Sequence, residues 1–207
     1  WFASTWIFNL GLPWELGAKL FFKYLFDGDA SSNVLSWRWV AGLQTKGKKY
    51  LFSPENLRKF SNNRFSVKKL SNKEIYLNDN FQISLSEKIY QFNKEKKSNH
   101  LILFENDLHF SSLKTFIEKY DYAYLVILSD KDRQIKISDG VSKFKKKLVK
   151  EFVEKFSNVQ IIYSNQMIEK LNNIQSLDMI YPFVGDNNDF INKFKIQTKK
   201  NIHTLVR

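Results

Sequence analysis

Hydrophobic and polar positions follow two different periods along the chain, and the change of period divides it. From Trp14 onward, "WELGAKLFFKYLF" sets Leu16, Leu20 and Tyr24, with Phe21 and Leu25, at helical spacing. Pro13 suits the first position of that helix, where a missing N–H is harmless. The helix must stop at "DGD", because Gly28 supplies backbone freedom and Asp29 is a good N-cap for a second helix. That second helix is predicted over roughly 30–43, with Asn33, Trp37 and Ala41 on one stripe and Trp39 pointing elsewhere. The stretch "FDGDASSNVLSWRW" is then a helix–turn–helix corner. It has two carboxylates at the turn, and an amide and an indole one turn apart behind them.

Farther along, apolar runs of strand length take over: "HLILFEND" (100–107), "AYLVILSD" (123–130) and "VQIIYSN" (159–165). Between the last two, "VSKFKKKLVKEFVEKF" predicts a helix with Phe144, Leu148, Phe152 and Phe156 on its apolar face. Its Lys143, Lys145, Lys146, Lys147 and Lys150 are expected to face away, as a solvated surface rather than a DNA patch. Strand alternating with helix predicts a parallel sheet with crossover helices. The fold class is therefore mixed: an all-α segment followed by an α/β, Rossmann-like domain. Neither GxGxxG nor GxxxxGK[ST] follows any strand. Asp107 and Asp130 stand at strand ends, where open sheets bind ligands if they bind any, and where acids also serve as caps.

Composition sharpens the boundary. All five tryptophans lie in the first 39 residues, and five of the seven glycines precede residue 48. The expected division is a helical domain over 1–65, a polar connector over 66–98 with a possible pair of short strands, and the α/β domain over 99–207. The formal charge of +12 suits a polyanion such as nucleic acid. A Lys-, Asn- and Ile-rich bias would also follow from an AT-rich genome, so charge alone decides nothing. The absence of cysteine excludes disulfides, thiolate metal sites and thiol nucleophiles, and three scattered histidines suggest no metal site. With no 18-residue apolar run and no signal peptide, the expected address is the cytoplasm and no membrane contact is expected. The chain opens on Trp1 instead of Met, and reads as the tail of a longer protein.

Four motifs carry a resemblance. "WFAS", "LPWELG", "DGDASSNVLSWRW" and "GLQTKGKKYL" occur in that order, with 13 residues from Trp14 to Asp27. Over residues 1–65 they resemble the flavin-binding domain of the DNA photolyase/cryptochrome family. The resemblance implies FAD folded in an all-helical pocket, with Asp27 and Asp29 beside the flavin ring and ribityl chain and Asn33 against flavin N5. It implies Trp37 as the indole nearest the flavin, Trp14 as the next electron donor, and Trp39 as a wall of the cavity for a flipped pyrimidine dimer. Lys46, Lys48 and Lys49 would meet DNA phosphates.

The activity implied is that of a deoxyribodipyrimidine photolyase, splitting pyrimidine dimers in damaged DNA by electron transfer from reduced, excited flavin. The alternative is a cryptochrome-like blue-light photoreceptor without repair; the amide of Asn33 leans toward repair. A monomer is expected, with this chain alone binding FAD poorly, because the family's pocket also uses helices that would lie upstream. Residues alone would make Trp1, Trp6 and Trp14 core aromatics, and Asp27 and Asp29 turn and cap residues. The resemblance changes that for Trp14 and the two acids, not for Trp1 or Trp6. "LILFENDLHF" is similar to the first strand and loop of the family's α/β antenna domain, so an antenna-like second domain is expected; no antenna chromophore is assigned.

Overall fold

A computed structural model describes residues 1–45, 47–65, 67, 71–73, 95–182 and 184–205. Two compact units divide the chain, Trp1–Leu85 and Ser86–Arg207. Lys46 and the possible strand pair of the polar stretch lie outside the described residues.

The first unit is helical among its described residues. Helix α1 (Phe2–Ser4) runs into a π-helical turn, Thr5–Asn9, and is followed by α2 (Trp14–Tyr24), α3 (Ala30–Ala41) and α4 (Pro54–Phe60). Pro13 stands at the N-cap of α2, one position before the one expected. Helix α3 ends two residues earlier than its sequence pattern suggests, because Gly42 adopts a left-handed backbone (φ 82°) and its N–H returns to Arg38 and Trp39 carbonyls. Ile7, Phe8, Ala18, Trp37 and Ala41 form the core. The stripe Leu16, Leu20 and Tyr24 is exposed, and α2 turns Gly17 and Ala18 toward α3.

The second unit is a three-layer α/β/α fold. Its strands are β1 (His100–Phe104), β2 (Tyr122–Ile127), β3 (Val159–Tyr163), β4 (Ser176–Ile180) and β5 (Asn201–Leu205). They make a parallel sheet in the order β3-β2-β1-β4-β5. Helices α5 (Phe110–Ile117), α6 (Asp139–Val153), α7 (Met167–Lys170) and α8 (Asp186–Thr198) complete it. Both sheet faces are covered, so β1 is apolar at nearly every position. Ile102 and Phe104 face the cluster holding Met167, Phe190 and Phe194, while Leu101 and Leu103 face Leu113, Ile117, Val149 and Phe152.

Two findings depart from the sequence pattern. Phe144 and Leu148 are 39% and 37% exposed, and α6 buries Val141, Val149 and Phe152 instead. Lys145 lies on the same inner side and does not face away: its ammonium group reaches Glu105 Oε1 at 3.1 Å. The aliphatic stem of a lysine can lie along the core while its charge finds a partner at the edge.

Strands β4 and β5 leave no clear mark in the sequence pattern. In β4 the fully buried Asp178 interrupts the apolar run. Its Oδ2 accepts hydrogen bonds from Lys97 N (2.8 Å), Ser98 N (3.2 Å) and the Tyr120 hydroxyl (3.0 Å). The carboxylate thereby fastens the residues that lead into β1. Burial first, and the Asp178 charge second, push the Tyr120 phenol above its ordinary range. No helix among the described residues is long and apolar enough to cross a membrane.

Candidate flavin and nucleic-acid site

The Asp27–Asp29 turn is built as its residue types dictate. Leu25 closes α2, and Gly28 N donates back to Leu25 O at 3.2 Å. Asp29 caps α3 by accepting from Ser32 N at 2.6 Å. Asp27 is exposed, and its carboxylate has no partner among the described residues. One turn into α3, Asn33 is 8% exposed and donates from Nδ2 to Ala18 O at 2.8 Å. That bond ties α2 to α3 and leaves Oδ1 as the acceptor of the amide. One turn farther, Trp37 is 2% exposed. The amide and indole predicted to share a stripe do share it.

Trp37 is seated by what α2 omits. A methyl group at Gly17 would lie 2.2 Å from Cη2 of the Trp37 ring. Gly17→Ala must therefore push the indole out of its site, an overpacking that costs roughly 1–3 kcal/mol. Urea denaturation followed by tryptophan emission should show the loss, with Trp37 emission shifted toward that of an exposed indole. An unchanged midpoint and spectrum would contradict the close approach.

Aromatic rings enclose the rest of Trp37. Phe21 meets it at 5.2 Å and 88°, Phe2 at 6.3 Å and 82°, and Trp6 at 6.4 Å and 85° between ring centroids. Such edge-to-face arrangements suit the ring quadrupoles. The tryptophan in ring contact is Trp6, which no pattern in the sequence singles out. Trp14 packs partly buried against the same core, and the Arg38 guanidinium lies 5.7 Å from its ring centroid.

Trp39 leaves the helix on the opposite side and is 49% exposed. Tyr50 meets it at 4.8 Å and 62°, held there because Tyr50 N donates to Val40 O at 3.1 Å. Sequence reasoning misses this second ring of the aromatic wall, since only the return of the chain brings it back to α3. Lys48 and Lys49 are exposed and flank the wall, with Lys48 Nζ 5.9 Å from the Tyr50 ring and Lys49 Nζ 5.8 Å from that of Phe8. Among the described residues no group of three or more His, Asp or Glu side chains could hold a metal ion.

In the second unit the acids at the strand ends act structurally. Asp107 Oδ2 accepts from Phe104 N at 2.9 Å, and Asp130 pairs with Lys136 at 3.1 Å. Between β1 and β4, where the strand order reverses, Glu105 is occupied by Arg133 and Lys145.

Comparison with known proteins bears on part of the chain. Residues 1–78 match the family model of the FAD binding domain of DNA photolyase. A deoxyribodipyrimidine photo-lyase of Buchnera aphidicola subsp. Baizongia pistaciae (strain Bp) is 37% identical over 54 residues. The aligned stretch is 25% of this chain and 11% of that protein, so the chain spans only a small part of its relative. No solved structure matches significantly. Residues 1–78 are thus similar to the FAD binding domain of DNA photolyase.

The side chains fit that cofactor chemically. Carboxylates are acceptors only, matched to the N–H of an isoalloxazine and the hydroxyls of a ribityl chain. Asp27 has an unpartnered carboxylate among the described residues, and Asn33 has an amide already oriented by Ala18.

Proposed function

We propose that the helical unit is the flavin- and lesion-facing part of an FAD-dependent, light-driven DNA photolyase acting on pyrimidine dimers. The observation that carries this reading is the corner itself: two acids at a turn, then a buried amide and a buried indole on one stripe of α3. Bound FAD would supply light absorption and one-electron chemistry.

The chain's own residues supply the rest. Asp27 and Asp29 accept hydrogen bonds from the cofactor's N–H and hydroxyl groups. Asn33 Oδ1 accepts a hydrogen bond from a ring N–H, and so favours the protonated, reduced ring. Trp37 gives up an electron from an indole screened from water. Trp39 and Tyr50 form a flat wall on which an extruded base stacks. Lys48 and Lys49, with Lys46, hold phosphates around it, positioning the DNA without reading its sequence. The Trp14 indole is a further donor beside this path.

Binding of oligonucleotides with and without a pyrimidine dimer tests the reading in the full-length flavoprotein. Trp39→Ala should lower affinity for dimer-containing DNA by about 1–3 kcal/mol, the worth of one base–aromatic stack, and leave undamaged DNA little affected. Replacing Lys48 and Lys49 by Gln should weaken both together and reduce the salt dependence. Equal binding of both DNAs by the wild-type protein, with no repair under blue light, would overturn repair in favour of a blue-light sensor.

A further inference from the structure

Trp37 needs a source for the electron it gives up, and two tryptophans border the core that holds it. Their surroundings differ in the property that matters. The Trp6 ring meets that of Trp37 edge to face, 6.4 Å between centroids and 85° between planes. Its indole N–H donates to Pro13 O at 2.8 Å. Oxidation of an indole places positive charge on the ring and acidifies that N–H, so a carbonyl oxygen in line with it stabilises the oxidised form. Trp14 has the opposite environment: the Arg38 guanidinium stands 5.7 Å from its ring centroid, and a cation over the π face opposes a second positive charge.

The route outward favours Trp6 as well. Its ring stacks on Phe2 at 5.8 Å and 26°, and Phe2 is half exposed. Trp6 is itself partly exposed, so the proton of its oxidised indole can pass to water. The π-helical turn Thr5–Asn9 creates this arrangement. Within its five residues Ile7 and Phe8 are buried, and Trp6 is placed between Trp37 and the Pro13 carbonyl.

We propose that Trp6 is the immediate electron donor to Trp37, ahead of Trp14. The inference rests on the flavin-dependent reading of the helical unit. One electron leaves the Trp6 π system and fills the vacancy on oxidised Trp37, which returns to its neutral closed shell. Oxidised Trp6 then loses its Nε1 proton to water and is reset by a soluble thiol, which supplies one electron and one proton. Trp6 acts through Trp37 and touches no cofactor atom in this scheme.

The experiment uses the full-length flavoprotein and its Trp6→Phe, Trp14→Phe and Trp37→Phe variants, with three measurements. Near-ultraviolet circular dichroism of the flavin-free protein reads the Trp6–Trp37 pair directly: its coupled band should vanish in Trp6→Phe and Trp37→Phe and persist in Trp14→Phe. Electron paramagnetic resonance after illumination in the cold reads which indole carries the radical; the signal should change in Trp6→Phe and stay unchanged in Trp14→Phe. The rate of light-driven flavin reduction should fall by about tenfold or more in Trp6→Phe and by less than about twofold in Trp14→Phe. Trp6→Tyr, which restores an oxidisable ring, should recover part of the rate, a rescue that mere packing would not explain. A radical signal and rate that depend on Trp14 and ignore Trp6 would overturn the proposal while leaving the electron role of Trp37 intact. Undiminished reduction in Trp37→Phe would instead remove the reading beneath it.

Discussion

Glu105→Ala is expected to destabilise the α/β unit by about 3–5 kcal/mol, because it strands two cations inside the protein. The Glu105 side chain is 2% exposed and that of Arg133 5%. One terminal nitrogen of Arg133 lies 2.7 Å from each Glu105 oxygen, Lys145 Nζ lies 3.1 Å from Oε1, and Leu128 N donates to Oε2 at 3.3 Å. A single carboxylate thus compensates two positive charges and a backbone N–H at the carboxyl end of β1. Removing either cation leaves the other to satisfy it; removing the anion leaves Arg133 the Leu128 carbonyl and Lys145 the Asn106 amide oxygen, neither of which carries a charge. Urea denaturation monitored by circular dichroism at neutral pH measures the loss. Glu105→Gln should fall between wild type and alanine, since it keeps the shape and one acceptor but not the charge. Adding Arg133→Met and Lys145→Met to Glu105→Ala should recover stability, because no buried charge then remains unpaired. A loss below about 1 kcal/mol for Glu105→Ala would mean that water reaches the cluster and screens it.

The same cluster shows why part of the fold is hidden in the sequence. A lysine in a helical pattern counts as polar, so Lys145 pulls the expected apolar face of α6 toward Phe144 and Leu148. Only the position of Glu105, forty residues earlier, turns Lys145 inward. Strand β4 is hidden for a related reason: Asp178 is buried because three donors from distant segments converge on it. Local pattern does not encode such partners. The α3 corner, by contrast, is specified locally. A cap at Asp29 and a stripe at i, i+4 spacing are enough to place Asn33 and Trp37 correctly. What the residues cannot reveal there is their surroundings. The space at Gly17, the Tyr50 ring beside Trp39 and the contact of Trp6 with Trp37 all come from chain returning upon itself.

Substitutions at the two acids should separate a structural role from a ligand role, since the proposed reading gives Asp29 both and Asp27 only the second. Asp29 caps α3 through a 2.6 Å bond to Ser32 N, so Asp29→Ala should cost about 1 kcal/mol of stability in addition to weakening FAD retention. Asp29→Ser keeps a capping oxygen and removes the charge; it should restore stability without restoring retention. Asp27 is exposed and makes no bond among the described residues, so Asp27→Ala should leave the denaturation midpoint unchanged. FAD retention should nonetheless fall roughly 10- to 100-fold, the worth of one hydrogen bond to a charged acceptor. Retention is read by titrating apoprotein with FAD and following quenching of flavin fluorescence, in the full-length protein so that the whole pocket is present. The decisive combination is Asp27→Ala, stable but poor in flavin, against Asp29→Ser, equally stable and equally poor. Full flavin occupancy in both would return these residues to the roles of turn and cap, and would move the cofactor away from this corner.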